Sequence, residues 1–86
     1  MTITATPRLA PMFRLQFEPA QDAWVLLYPE GMVKLNGPAS EILKRCDGKT
    51  SVAEITADLE RAFSTNGLQG DVEDFLRHAD EQHWIA

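Results

Sequence analysis

The fold of this chain is decided by residues 12–48, which read MFRLQFEPAQDAWVLLYPEGMVKLNGPASEILKRCDG. Up to Leu35, apolar and polar residues tend to alternate, which is typical of half-buried strands. Beyond Leu35, apolar residues recur every three to four positions, which is typical of one face of a helix. The stretch therefore predicts a group of strands that leads directly into a helix.

The first part of this stretch contains three predicted strands separated by two turns. Residues 12–17, MFRLQF, alternate; residues 23–28, AWVLLY, lack charge and are rich in strand-forming side chains; residues 32–35, MVKL, form a short third strand. The turns are EPAQD and PEG, in which proline fixes φ and glycine can take a positive φ. Since short turns make neighbouring strands antiparallel, residues 23–28 form the central strand and the other two form the edges.

Capping residues mark where three helices begin. Asn36 precedes the first helix, Ser51 and Glu54 form a capping box at the second, and Asp71 precedes the third. Gly48 is expected to end the first helix. The predicted buried residues are, helix by helix, Ala39, Ile42, Leu43 and Cys46; Val52, Ile55, Leu59, Ala62 and Phe63; and Val72, Phe75, Leu76 and Ala79, with Trp84 and Ile85 holding the end of the third helix.

These elements predict an α+β domain: a three-stranded antiparallel sheet followed by three helices, in a winged helix-turn-helix-like layout. Residues 12–86 are expected to form this single domain. Residues 1–11 contain Pro7 and Pro11 and show no sustained periodicity. They predict an extended arm that can be mobile and has no role in the core.

Size and charge limit the function. A chain of 86 residues has room for one core and no second lobe to close an active-site cleft. Residues 1–50 carry six basic and five acidic side chains, a net charge of +1, whereas residues 51–86 carry two basic and eight acidic ones, a net charge of −6. The third helix would bring five acidic side chains near DNA phosphates, with Arg77 as its one base. A winged helix-turn-helix DNA-binding protein is therefore the weaker alternative, and nucleic acid is not an expected partner.

Recognisable catalytic and metal-binding patterns are missing from the sequence. Cys46 is the one cysteine and occupies a helical apolar position, which predicts a buried thiol rather than a nucleophile. His78 and His83 would point about 140° apart on a helix, so they cannot chelate one metal ion together. We therefore expect no enzyme activity, no metal and no cofactor. A lone cysteine suits a reducing compartment, and without a leader or a run of about 20 apolar residues the sequence predicts a cytoplasmic protein with no membrane partner.

A sheet edge is the remaining candidate for a functional surface. The third strand, residues 32–35, is short and leads straight into a helix, so a neighbouring helix could wall a groove beside its unpaired backbone groups. An extended peptide can add to such an edge as a further strand. The alternative is that Lys34 only protects the edge from aggregation. The residues by themselves do not decide between these two interpretations.

Residues 26–48, LLYPEGMVKLNGPASEILKRCDG, closely resemble the PqqD family of pyrroloquinoline quinone biosynthesis proteins. The family pattern has PEG, a strand ending in LN, and a helix ending in CDG. Residues 13–27 resemble the family's first two strands, and residues 71–85, DVEDFLRHADEQHWI, resemble its last helix. His83 departs from the pattern, in which glycine is common at this position.

The resemblance implies a peptide chaperone that is a recognition element for ribosomally synthesised and post-translationally modified peptides (RiPPs). Such a domain binds the precursor peptide PqqA and presents it to the radical S-adenosylmethionine enzyme PqqE. The iron–sulfur chemistry would belong to that enzyme, because no C-x-x-x-C-x-x-C motif occurs in this chain. The chain is expected to be a monomer or a weak, domain-swapped homodimer, since its N-terminal hairpin could exchange between copies.

Strand addition beside the third strand then defines the candidate site. The third helix would form the other wall of a groove, in which main-chain bonds give affinity and side-chain pockets give selectivity. Replacing Val33 by proline is expected to remove a donor from the edge and to weaken peptide binding. The candidate peptide-binding residues are Met32, Val33, Lys34, Leu35, Phe75, Arg77 and His78.

Overall fold

The computed structural model describes residues 5–86, which form a three-stranded antiparallel sheet followed by three helices. The strands are β1 (Arg14–Glu18), β2 (Ala23–Tyr28) and β3 (Gly31–Lys34), and the helices are α1 (Gly37–Lys44), α2 (Val52–Ala62) and α3 (Gln69–Glu81). The sheet has the order β1-β2-β3, so β2 is central and β3 is an edge. The predicted α+β fold is confirmed.

The two faces of the sheet have different surroundings. Leu26 of β2 lies between Leu15 of β1 and Val33 of β3, and it is fully buried in the hydrophobic core that the helices share. Because side chains alternate along a strand, Val25 and its cross-strand partner Lys34 point to the opposite face. Val25 is fully buried although it lies outside that core cluster, and we call this opposite side the outer face of the sheet.

Two predicted helix starts are confirmed by their caps. At the start of α1, the side chain of Asn36 accepts a hydrogen bond from the backbone N–H of Ala39 at 2.8 Å. At the start of α2, the Ser51 hydroxyl accepts from the Glu54 N–H at 3.1 Å, and the Glu54 carboxylate accepts from the Ser51 N–H at 3.0 Å. These bonds satisfy backbone donors that have no partner within the helix.

The first helix is shorter than predicted. It ends at Lys44 rather than at Gly48, because the N–H groups of Arg45 and Cys46 bond to the carbonyls three residues back, each at 3.1 Å. This spacing tightens the chain out of the α-helix. The Asp47 carboxylate then accepts from the N–H groups two and three residues later, at 2.8 and 2.9 Å, and turns the chain toward α2. Cys46 is buried as predicted, although it lies beyond the helix.

The third helix begins two residues before its predicted cap, Asp71. Its first residue is Gln69, and its N-cap is Leu68, whose side chain has no acceptor for a capping bond. The Leu68 N–H instead donates to the carboxylate of Glu60 on α2 at 3.0 Å. Asp71 lies in the first turn, where the helix dipole favours a negative charge. The start of α3 is therefore tied to α2.

Five of the nine predicted buried positions on α2 and α3 are confirmed; Val52 is half-buried, and the end of α2 is exposed. Ile55 and Leu59 are buried, as are three of the four predicted positions on α3, while Phe75 is half-buried. Ala62 and Phe63 are exposed, and Phe63 keeps 56% of its surface accessible. Phe63 follows the last residue of α2, where the chain leaves the helix.

The N-terminal arm contributes to the core, contrary to the expectation that it has no role there. Pro7 is fully buried, and Leu9 packs against the core cluster. The Gly48 N–H donates to the carbonyl of Pro7 at 3.0 Å, which holds the arm against the α1–α2 connection. The arm's own sequence gave no sign of this, because the partners that hold it lie far away along the chain. Residues 1–4 of the predicted arm lie outside the described residues, and the domain boundary at residue 12 stays a prediction.

The segment after α3 pairs with the same arm. Leu9 and Ile85 form an antiparallel bridge, flanked by hydrogen bonds from the Ala86 N–H to the Arg8 carbonyl and from the Ala10 N–H to the Trp84 carbonyl, both 2.8 Å long. Ile85 is buried and Trp84 is half-buried, and both lie at the end of α3 that they were expected to hold. The two ends of the described chain therefore fasten the C-terminal end of α3.

Candidate functional site

Among residues 5–86 no strand pairs with the side of β3 that faces away from β2, and this free edge presents its unpaired backbone groups at Met32 and Lys34. The Leu35 N–H donates to the carbonyl of Trp24 at 2.9 Å, so Leu35 and Trp24 form a hydrogen-bonded pair. Such pairs alternate along an antiparallel ladder, and the next one along the register joins Val33 to Leu26. The residues between them, Met32 and Lys34, therefore direct their N–H and C=O groups away from β2.

This register corrects the expectation about Val33. The Val33 N–H points at Leu26 of the neighbouring strand, not at the edge. Proline at Val33 would therefore break a bond inside the sheet and would not test the edge. The sequence could not decide this point, because a shift of one residue in register exchanges the two sets of backbone groups.

The side chains of the predicted strand segment divide between the two faces. Val33 is half-buried against the core, and Leu35, which follows β3, is buried in it. Met32 and Lys34 point to the outer face, where Met32 is 47% exposed and Lys34 is also exposed. The same two residues thus carry both the unpaired backbone groups and the exposed side chains of the edge.

The predicted residues of α3 do not form one cluster. Phe75 and His78 both contact Trp84: the ring centroids lie 6.4 Å apart for Phe75 and 5.3 Å apart for His78, which meets the indole edge to face. Arg77 projects from a different side of the helix and forms an ion pair with Asp74 one turn earlier. Phe75 and Val33 are both partly buried and both pack against the core cluster.

An apolar cleft of about 450 Å³ lies where α1, the end of α2 and the start of α3 meet. We call it the helix cleft. Its lining residues are Gly37, Pro38, Glu41, Ile42, Leu59, Phe63, Thr65, Leu68, Asp71 and Val72. None of the seven predicted site residues is among them. Helical spacing had assigned Phe63 to the core, and its sequence context carried no signal that it would line an open cleft.

The charged groups of the helix cleft are acidic. Glu41 is paired with Arg45 at 2.9 Å and with Lys44 at 3.0 Å, and these hydrogen bonds, the one to Arg45 foremost, lower the pKa of its carboxyl below the ordinary value. Asp71 is exposed and forms no ion pair with any residue from 5 to 86. The cleft therefore offers an apolar floor with a free carboxylate at its rim.

Two features bear on catalysis in the part of the chain that the structure describes: its one thiol and its metal-ligating side chains. Cys46 is 7% exposed, and burial raises the pKa of its thiol to about 12, so the thiol is protonated near neutral pH. Within residues 5–86 no three metal-ligating side chains come together. No helix in this part of the chain is long and apolar enough to cross a bilayer.

The surface of α3 is unsuited to a nucleic-acid backbone. It carries five acidic side chains, and its one arginine, Arg77, is already paired with Asp74. A recognition helix would need positive charge in this position. The structure therefore adds no support for the DNA-binding alternative.

The chain is similar in sequence to the proteins of one known family. The sequence model of the family described as Coenzyme PQQ synthesis protein D (PqqD) matches residues 23–85. The chain is 52% identical over 85 residues to a PqqA binding protein of Pseudomonas aeruginosa, covering 98% of this chain and 92% of the relative. It is 49% identical to a PqqA binding protein of Azotobacter vinelandii, with the same coverage.

A solved structure shares the fold. It is the solution NMR structure of a PqqD truncation of Methylobacterium extorquens PqqCD, described as a functional, stand-alone RiPP recognition element. The two folds agree with a TM-score of 0.75 at 25% sequence identity, over 99% of this chain and 95% of that one. The match extends over the sheet and all three helices.

Proposed function

Because this chain belongs to the PqqD family of coenzyme PQQ synthesis proteins, we propose that it binds the precursor peptide PqqA by strand addition and presents it to the radical S-adenosylmethionine enzyme PqqE. The relatives named PqqA binding proteins support the identity of the peptide. The free edge of β3 supports the mode of binding. In this proposal the chain is an adaptor and not an enzyme.

The observation that carries the proposal is the pair of outward-facing backbone groups on β3. Met32 and Lys34 each offer one N–H donor and one C=O acceptor on the side away from β2. A peptide strand that runs in either direction beside β3 can use these four groups. Main-chain bonds of this kind give affinity with little dependence on peptide sequence, so selectivity must come from side-chain contacts.

The proposed side-chain contacts lie on both sides of this edge. Met32 and Lys34 would contact the peptide on the outer face. Val33 and Leu35 lie on the other face, toward the core. On α3, the candidate contacts are Phe75 and His78, which meet at Trp84. Arg77 is the weakest candidate, because it projects elsewhere and already pairs with Asp74.

Proline and alanine at Lys34 provide a matched test of strand addition. Lys34→Pro removes the outward N–H, whereas Lys34→Ala keeps it and removes only the side chain. One backbone hydrogen bond contributes about 0.5–1.5 kcal/mol, so Lys34→Pro is expected to weaken PqqA binding roughly 3- to 10-fold relative to Lys34→Ala in calorimetric titrations. Proline is tolerated at an edge position whose N–H faces solvent, so both variants should stay folded. Equal affinities for the two variants would reject this edge.

Presentation to the enzyme is tested by comparing PqqE reactions with and without this chain. A bound peptide reaches the enzyme at a raised effective concentration and already ordered, so the chain should accelerate peptide crosslinking. The chain alone should leave the peptide unchanged in mass. Equal crosslinking rates with and without the chain would remove the adaptor role while leaving peptide binding intact.

The remaining parts of the proposal concern the state of the chain. We propose that one monomer binds one peptide in the cytoplasm, and that any homodimer is weak or domain-swapped. Residues 12–86 are proposed as the peptide-binding domain. Light scattering over a concentration series, with and without PqqA, would report both stoichiometry and self-association.

A further inference from the structure

Strand addition leaves the helix cleft without a function. The cleft encloses about 450 Å³, within the range of roughly 300–1,000 Å³ that is usual for ligand sites. Its wall includes Phe63, which is 56% exposed, next to the buried Leu59 and Val72. A large aromatic side chain that lies open beside a pocket is typical of a binding surface.

The cleft is close to the free edge of β3. Its nearest lining residue along the chain is Gly37, three positions after Lys34, and Pro38 is the next. Consecutive Cα atoms are about 3.8 Å apart, so Gly37 lies within about 11 Å of Lys34. About three extended residues of a peptide that leaves the β3 edge at Lys34 would span this distance.

The charge of the cleft indicates which kind of ligand it would bind. No lysine or arginine is among the residues that line it. Glu41 is neutralised by Arg45 and Lys44, whereas Asp71 has no ionic partner within residues 5–86. The cleft thus complements an apolar side chain that is accompanied by a positive charge.

We propose that the helix cleft binds a large apolar side chain, leucine or aromatic, of the same peptide that adds to β3. This side chain lies about three residues beyond the strand-paired segment, and a neighbouring lysine or arginine faces Asp71. The inference rests on the proposed peptide binding and adds a second, side-chain-selective contact to it. The apolar floor of the cleft supplies the selectivity that the main-chain bonds cannot.

Phe63→Ala tests the apolar contact, with Met12→Ala as its control. Both residues are largely exposed, Phe63 at 56% and Met12 at 65%, so neither change should alter the fold. Phe63→Ala is expected to weaken PqqA binding on the order of tenfold in calorimetric titrations, and Met12→Ala to leave it unchanged. A scan of the PqqA peptide should reveal one apolar residue whose replacement by alanine costs affinity for the native chain but not for Phe63→Ala.

Asp71→Asn tests the proposed ionic contact between Asp71 and the peptide. Glu81→Gln is its control, because it removes one negative charge at the other end of α3. Asp71→Asn should weaken binding and reduce its dependence on salt, whereas Glu81→Gln should change neither. If Phe63→Ala and Asp71→Asn both bind PqqA as their controls do, the cleft is not a peptide site. Slower crosslinking by PqqE with unchanged peptide affinity would assign the cleft to the enzyme instead.

These results are separable from the test of strand addition. If Phe63→Ala binds PqqA more weakly than the native chain does, while Lys34→Pro and Lys34→Ala bind it equally, the cleft is a peptide site and the β3 edge is not. The opposite pattern would keep the edge and reject the cleft. No binding of PqqA by the native chain would overturn both.

Discussion

The thiol of Cys46 should be inert in the folded protein. It is buried near the end of α1, its sulfur contacts the carbonyl of Ile42 at 3.4 Å, and burial raises its pKa to about 12. We expect labelling by an aromatic disulfide reagent at pH 8 to follow unfolding of the chain, and to become fast in urea. Rapid, stoichiometric labelling under native conditions would contradict the buried position.

Acid should destabilise the fold through carboxylates that bond to backbone groups. A hydrogen bond from the Lys49 N–H, and to a smaller extent those from Thr50, lower the pKa of Asp47. A hydrogen bond from the Ser51 N–H lowers the pKa of Glu54. A lowered folded-state pKa contributes stability that is present above the unfolded pKa, near pH 4, and is lost as pH falls through the folded value. The urea midpoint should therefore hold between pH 7 and 5 and fall below about pH 4.

Asp47→Asn isolates one of these carboxylates. Its amide oxygen can still accept the two backbone bonds but cannot be protonated in this range, so the variant should lose less stability between pH 5 and 2.5 than the native chain does. Urea titrations at several pH values measure this difference. An unchanged acid profile would show that Asp47 does not contribute to the acid sensitivity.

Phe63 shows why single positions were harder to predict than elements. It follows Leu59 by four positions, so helical spacing places both on one face. Leu59 is covered by the core, whereas Phe63 lies just beyond the last residue of α2 and remains exposed. Burial depends on what covers a side chain, and the path of the chain from α2 to α3 is not encoded in the spacing of α2.

At the scale of elements, the strands and the starts of α1 and α2 were predictable because each is specified by neighbouring residues. The uncharged, strand-forming run AWVLLY identified β2 with its observed bounds, and Ser51 with Glu54 marked the start of α2 through bonds that they form with each other. The end of α1 and the start of α3 were mispredicted. Those ends depend on a tightened turn after Lys44 and on a bond from Glu60, which is distant in sequence.

The candidate site was only partly predictable for the same reason. The sequence identified β3 as an edge, because short turns fix the strand order. It did not reveal that Met32 and Lys34, and not Val33, present the free backbone groups, since that depends on register. The helix cleft involves three helices at once and left no signal in any one of them.

The N-terminal arm should stabilise the domain. Leu9 packs against the core and bridges to Ile85, whereas Met12 is 65% exposed. Leu9→Ala should therefore lower the free energy of unfolding by about 1–2 kcal/mol, and Met12→Ala should change it by less than about 0.5 kcal/mol. Urea denaturation of the two variants measures both. Equal stabilities would mean that the arm is not held in the folded state in solution.

At the scale of the whole molecule, charge is divided between two regions. The outer face of the sheet carries Arg14, Lys34 and Glu18, a net charge of +1, whereas α3 carries five acidic side chains. This division was predictable from the sequence, because the net charge of each half of the chain follows from its composition and not from how it packs. It fits a domain that receives a peptide at one edge and keeps an acidic surface free for a basic partner.

The central claim is tested most directly by amide hydrogen exchange of the chain, followed by NMR during titration with PqqA. Strand addition predicts saturable binding of one peptide per chain, with slower exchange at the Met32 and Lys34 amides. The Val33 amide, already bonded within the sheet, should be protected with or without peptide. Saturable binding that leaves Met32 and Lys34 exchanging freely would contradict the β3 edge, and no binding at all would contradict the proposed function.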